Sequence, residues 1–124
     1  MEQSNLLKRY AFRRMANLNQ SRQMAQLNKL KSLQKQLKFW EQRDDKYKRT
    51  VEIFKEYINT MREFNHPREL INSYIRMAQY CERQGDRLLA QDTYRMALEV
   101  EEHLNIDPKH IQNLRTKISS LSWF

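Results

Sequence analysis

Ten positions between Leu30 and Met61 recur at alternating spacings of three and four: Leu30, Leu33, Leu37, Trp40, Asp44, Tyr47, Val51, Phe54, Ile58 and Met61. Only Asp44 breaks the apolar run. That spacing draws one stripe along one side of a helix, a coiled-coil or helix-packing seam sustained for about four heptads. Neither Gly nor Pro occurs from Asn5 to Phe64, and helix formers dominate. The pattern therefore predicts one long amphipathic helix over 30–64, on the order of 45 Å at about 1.5 Å per residue. The cluster Arg43-Asp44-Asp45-Lys46 is where it would divide instead, with Asp45 capping a second helix; continuity is the expectation. Before Leu30 the seam fades. Leu7, Met15 and Leu18 leave a short stripe, and Asn17, Asn19, Gln20, Gln23, Gln26 and Asn28 dominate. Residues 1–29 read as a basic extended or helical arm, capped at Ser4 and ordered by a partner rather than by its own chain.

Downstream the punctuation is clearer. Asn65-His66-Pro67 closes the long helix, and Pro67 suits the first turn of the next, with Asn65 or His66 as cap. That helix runs to about Gln84, where Gly85, the single glycine of the chain, ends it. Asp86 caps a further helix that ends near Leu104 and Asn105. Asp107-Pro108 then opens a last helix to about Ser119, with Ile111, Leu114, Ile118 and Leu121 as its stripe. Small residues stand where the two middle helices must touch, at Ala78, Ala90 and Ala97. Larger ones fill between them: Tyr74, Met77, Leu89, Tyr94 and Leu98. These are the marks of an antiparallel helical hairpin.

Tyr74, Met77, Ala78, Cys81, Gly85-Asp86, Ala90, Tyr94 and Ala97 together resemble one tetratricopeptide repeat, over about 34 residues from 70 to 104. The departures are Cys81, where an aromatic or Ala is usual, and Glu102, where Pro is common. Shifting the pattern back by one repeat aligns Trp40 and Tyr47 with aromatic positions. It also sets Asp44, Glu56 and Glu63 where small residues belong, so no second repeat is expected. The resemblance implies a helical scaffold that binds other proteins.

Composition agrees on the class. With one Gly and two Pro in 124 residues, little material is left for turns, and an all-α chain is expected. It comprises a long basic N-terminal helix, a tetratricopeptide-like hairpin and a C-terminal capping helix, the last two over 67–124. Apolar residues make up 40%, charged residues 31%, and mean hydropathy is −0.96, which suggests a small core with exposed helices.

Charge changes the picture more. The net charge is +8, yet residues 1–50 hold 13 Lys/Arg against 4 Asp/Glu, and residues 51–124 hold 10 against 11. The excess belongs to one end, which points to a polyanion partner there. With the seam on one side, Arg9, Arg13, Lys31, Lys35, Lys38, Lys46 and Arg49 fall roughly opposite at about 100° per residue. Lys31, Lys35, Lys38 and Arg49 form the tightest ridge. A ridge of cations on a helix can follow a phosphate backbone and release its counterions. Lys8-Arg9 and Arg13-Arg14 extend it along the arm, and Tyr10, Phe12 and Phe39 lie near enough to stack on unpaired bases. No helix-turn-helix, zinc or basic-zipper pattern favours DNA, so RNA is the expected partner. The bland alternative is the solvated face that any amphipathic helix carries.

Candidate protein-interface residues are the large aromatics Trp40, Tyr47, Phe54, Tyr74, Tyr94, Trp123 and Phe124, since such anchors are enriched at interfaces. Chemistry is otherwise sparse. His66, His103 and His110 have no metal-ligand spacing, so no metal and no cofactor are expected. Glu101-Glu102 and Asp44-Asp45 are neighbours that point apart on a helix, not a carboxylate dyad. No glycine-rich phosphate loop or nucleophile turn occurs, and no enzyme is expected. Cys81, the one cysteine, reads as a small buried hydrophobe in a reducing compartment. The first 24 residues hold five basic residues and one acid, as a mitochondrial presequence would, but are read as working structure. The expectation is an intracellular scaffold or adaptor, of the cytoplasm or an organelle matrix such as the mitochondrion. It would bind RNA through the basic helix and protein through the hairpin, as a small accessory subunit of a ribonucleoprotein such as a ribosome does. A homo-oligomeric coiled coil through the Leu30–Met61 seam is the second reading, and a peripheral membrane or nucleoid-associated protein the third.

Overall fold

The computed structural model describes the chain from Glu2 to Ser122, and its side chains at Arg9 and from Leu18 to Ser122. Those residues are all-α, with five helices: α1 (Glu2–Trp40), α2 (Tyr47–Arg62), α3 (Pro67–Arg83), α4 (Arg87–Leu104) and α5 (Pro108–Leu121). Each packs on its chain neighbour. α1 and α2 make one antiparallel hairpin, α3 and α4 a second, and α5 covers α4.

The continuous helix expected over 30–64 is not present. α1 stops at Trp40, Arg43 N–H bonds back to the Trp40 carbonyl at 3.0 Å, and α2 begins at Tyr47. Ser4 lies inside α1 rather than capping it. The residue before α2 is Lys46, with no side-chain cap bond. Asp45 is not the cap; it pairs with Arg43 through two contacts of 3.3 Å. Asp44 disfavours a straight, packed seam. A straight helix would carry that carboxylate into the apolar seam, where an unpaired charge costs several kcal/mol, roughly. Reversal frees it to accept from Gln84 Nε2 at 3.0 Å. It also lays Leu30, Leu33 and Leu37 against Val51, Phe54, Ile58 and Met61, all buried. The two halves of the seam thus close on each other within one chain.

α3 is buried over about half its circumference at 100° per residue, because it has neighbours on two sides. Ile71, Tyr74, Met77, Ala78, Tyr80 and Cys81 are all within 3% of full burial. Toward α2, Tyr80 stacks on Tyr47 (centroids 6.0 Å apart) and tilts against Phe54 at 5.7 Å. Toward α4, Ala78, Ala90 and Ala97 are fully buried; their small side chains let the helix axes approach. This is the hairpin that the small-residue spacing predicts.

Its turn follows from one residue type. Gly85 has φ +82°, a left-handed conformation that side-chain-bearing residues adopt at a cost. There the Gly85 N–H bonds to the Glu82 carbonyl (3.0 Å) and the Asp86 N–H to the Cys81 carbonyl (2.9 Å), the pair of bonds that closes a Schellman motif. Asp86 serves twice more. Its carboxylate accepts from the Leu89 N–H at 3.2 Å, capping α4, and from the Tyr47 hydroxyl of the first hairpin. Asp107 caps α5 in the same way through the His110 N–H at 3.2 Å, with Pro108 at the first position.

Polar ties reinforce the stack. Arg76 on α3 holds Glu41, beyond the end of α1, through contacts of 2.6 to 3.2 Å. Glu82 accepts from Tyr94 on α4 (2.6 Å) and pairs with Lys117 on α5 (3.0 Å). Buried Glu101 on α4 meets His110 of α5 at 3.1 Å.

Two tyrosines should respond oppositely to loss of the hydroxyl. Tyr47→Phe strips the Asp86 carboxylate of a donor and should cost about 1–2 kcal/mol in urea unfolding. Tyr80 is fully buried, and no protein group bonds its hydroxyl, so Tyr80→Phe should be neutral or stabilising by about 1 kcal/mol. Desolvation and the Asp86 bond also raise the Tyr47 pKa above its ordinary value of 10.0. The unfolded phenol ionises first, so stability should be intact below pH 10 and decline above it. Tyr47→Phe should shallow that decline; an unchanged alkaline profile would refute the contact.

Candidate nucleic-acid interface

α1 is 39 residues long against 16 for α2, about 58 Å against about 24 Å, so it overhangs its partner. Among the described residues its buried side chains begin at Leu30. Upstream, every described side chain is exposed except half-buried Gln26. Along its whole length α1 carries nine Lys/Arg and one acid, Glu2. Ordinary surface helices mix signs and gain a few tenths of a kcal/mol, roughly, from each opposite pair one turn apart. α1 does the reverse. Lys31 and Lys35 are four apart, Lys35 and Lys38 three apart, all exposed, and each like pair is unfavourable by a similar amount.

The difference from the rest of the fold is one of degree, because exposed Lys48, Lys55 and Lys109 also make no ion pair among the described residues. Arg43, Arg49, Arg76, Arg95, Arg115 and Lys117 each have a carboxylate within 3.5 Å. On α1 only Lys29 reaches one among the described residues, Glu56 at 3.8 Å. Lys31, Lys35 and Lys38 make no ion pair among them. Lys38, in the last turn, also offsets the negative end of the helix dipole.

The ridge is not quite the expected one. Lys31, Lys35 and Lys38 share one face of α1, but Arg49 does not join them: the reversal at 41–46 moves it to α2, where it pairs with Glu52 at 3.5 Å. Arg9 is exposed on α1. The side chains of Lys8, Tyr10, Phe12, Arg13 and Arg14 lie outside the described residues. Arg22, which the spacing argument passed over, is exposed and lines an open groove of about 1550 Å³ with Lys31. That groove runs between α1 and the α2–α3 connection, over Met24, Leu27, Tyr57, Met61 and Phe64. Its geometry depends on the overhang, which residue spacing alone does not reveal.

The expected protein-facing aromatics need correction. Phe54 (0% exposed), Tyr74 (3%) and Tyr94 (3%) are core residues of this chain, and of the three only Tyr94 lines a surface cleft among the described residues. Arg62 donates to the Tyr74 hydroxyl and Tyr94 donates to Glu82, so even their polar ends are occupied. Tyr47 and Trp40 are half-buried against the core. Trp123 and Phe124 lie outside the described residues. That second cleft, about 570 Å³, opens between α3 and α5, where Arg76, Gln79, Arg83, His110, Asn113 and Lys117 line it together with the acids Glu41 and Glu82 and with Ile75, Tyr94 and Leu114.

Cys81 is fully buried, and that burial raises its thiol pKa more than the nearby Tyr47 hydroxyl lowers it; the net rise disfavours a reactive thiolate. Among the described residues no three His, Cys, Asp or Glu side chains gather in a metal-binding group, and no helix is long and apolar enough to cross a membrane. Compared with protein-family models, curated proteins and solved structures, the chain matches none.

The ridge lysines are dispensable to folding on this geometry. Replacing Lys31, Lys35 and Lys38 together by Gln should leave urea-unfolding stability within about 0.5 kcal/mol per site, or raise it slightly by removing repulsion. A loss of several kcal/mol would mean that the ridge holds the fold together.

Proposed function

We propose that this chain is a non-enzymatic helical scaffold whose basic first helix binds RNA and whose C-terminal helices bind protein, as an accessory subunit of a large ribonucleoprotein such as a ribosome does. One observation carries the reading. From Gln3 to Trp40 the chain holds nine cations and no carboxylate, on a helix whose described side chains before Leu30 are exposed apart from half-buried Gln26. Solubility alone would be served by a mixed face. An unbalanced one is a standing repulsion that a polyanion relieves, with counterion release as the driving term.

The protein-binding part rests on the cleft between α3 and α5, where Arg76, Arg83, Asn113 and Lys117 surround a space large enough for a few side chains of a partner. α5 covers α4 through Ile111, Leu114 and Leu121, so the hairpin resembles an end-capped unit with one face left for recognition. RNA is favoured over duplex DNA because α1 presents lysines along a line rather than a short recognition helix held by a second one.

RNA affinity measured across a salt series tests this directly. The full chain should show a steep decline of log K with log salt. Replacing Lys31, Lys35 and Lys38 by Gln should reduce the slope by about 2–3, at roughly 0.7–0.9 per phosphate contact. A slope unaffected by the triple substitution removes α1 as the RNA-binding element.

A further inference from the structure

We infer that the end of α1 holds a site for one unpaired RNA base, built from Phe39, Trp40 and Arg43; this rests on the RNA reading above and narrows it to single-stranded or looped RNA. Phe39 is 57% exposed, in the same short stretch as the core-packed Trp40. The two rings meet edge to face, centroids 5.2 Å apart at 86°. Trp40 is anchored on the core and so fixes the platform, while Phe39 projects from it. The Arg43 guanidinium lies 5.6 Å from the Phe39 centroid and 5.4 Å from that of Trp40. Asp45 holds that guanidinium at two points.

The surroundings suit a nucleotide rather than an apolar ligand. Lys35 is one helical turn before Phe39, hence its neighbour on the helix surface, and exposed Lys38 and Lys46 flank the turn. The acids of the same stretch are each engaged: Glu41 by Arg76, Asp44 by Gln84 and Asp45 by Arg43. Lys35 and Lys38 are not, among the described residues, while Lys46 acts on neighbouring Asp45. A base lying on the free part of the Phe39 ring gains stacking and a flat cation beside it. Its flanking phosphates meet Lys35 and Lys38. A duplex, whose bases are already stacked, can use only the lysines.

The test compares a short oligoadenylate with a blunt RNA duplex of equal length, using the full chain. Phe39 lies outside the core, so its variants should fold normally. Phe39→Ala should weaken oligoadenylate binding roughly tenfold or more, leave duplex affinity within about twofold and leave the salt slope unchanged, because stacking releases no counterions. Phe39→Trp should retain single-strand affinity, and Phe39→Leu, equally apolar but without a ring face, should lose it. In a Trp123→Phe background, Trp40 fluorescence should change on adding oligoadenylate and not duplex. Wild-type affinity in Phe39→Leu, or equal weakening toward both probes in Phe39→Ala, overturns the base site while leaving the ridge intact. Failure of the wild type to bind either probe overturns the RNA reading and this site with it. Loss of binding to phosphatidylserine vesicles in Phe39→Ala, without oligoadenylate binding in the wild type, assigns the platform to a membrane surface and likewise overturns it.

Discussion

The architecture depends on one charge placed where the apolar seam cannot accept it. Asp44 falls at a seam position, and the energetic asymmetry is large: several kcal/mol, roughly, for a carboxylate without a partner in an apolar contact, against a few ordinary backbone bonds lost by opening the helix. The chain therefore turns, and the same leucines that could have paired with another molecule pair with α2 instead. Everything downstream inherits that reversal. The antiparallel α1–α2 hairpin creates the surface on which Tyr47 and Phe54 receive Tyr80. That contact seats α3, α3 seats α4 through the alanines, and α4 seats α5. The acids and amides at the turns then tie successive layers, as Glu41 to Arg76, Asp44 to Gln84 and Asp86 to Tyr47.

How much of this was readable in the residues differs by element. The second hairpin was legible because each decision there is local. Gly85 supplies a left-handed φ, Asp86 and Asp107 supply caps, Pro108 supplies a first turn, and alanines mark close approach. The break after Trp40 was not. A three-and-four spacing is the same whether a seam runs straight or folds back on itself, and no Gly or Pro marks the reversal; the charged cluster Arg43-Asp44-Asp45-Lys46 marked where a division could fall but not that it does. Tyr80 was missed for a related reason. A single-stripe template describes a helix with one neighbour, whereas α3 has two and buries a second sector. The aromatic positions were recognised as apolar anchors, but spacing does not say whose surface covers them. Phe54, Tyr74 and Tyr94 are covered by this chain itself.

The candidate site was legible in its charge and not in its shape. Lys31, Lys35 and Lys38 follow from helical geometry, so their common face was available from numbering alone. Arg49 shows the limit, because numbering across the reversal gives the wrong helix. Phe39 was recognisable as an aromatic near cations. What distinguishes it is the turn after it, which brings Arg43 back over the ring, with Asp45 held on Arg43 itself and Glu41 and Asp44 held by Arg76 and Gln84. Geometry of that kind is a property of the break, and the break was the part hidden from periodicity.

This arrangement separates two demands that usually conflict. A core wants few unpaired charges, and a polyanion surface wants many. Here the acids that balance cations are spent almost entirely on α2 to α5 and the turns, where they tie helices together. α1 receives none after Glu2, and pays in repulsion between neighbouring lysines. Because that repulsion is solvated and screened over about 8–10 Å at ordinary salt, it costs the fold little. Against a phosphate backbone the same unbalanced charge acts additively, each contact releasing a counterion. The fold can therefore carry a strongly basic helix with little loss of stability, because Lys31, Lys35 and Lys38 are exposed on the same segment whose Leu30, Leu33 and Leu37 are buried in the core.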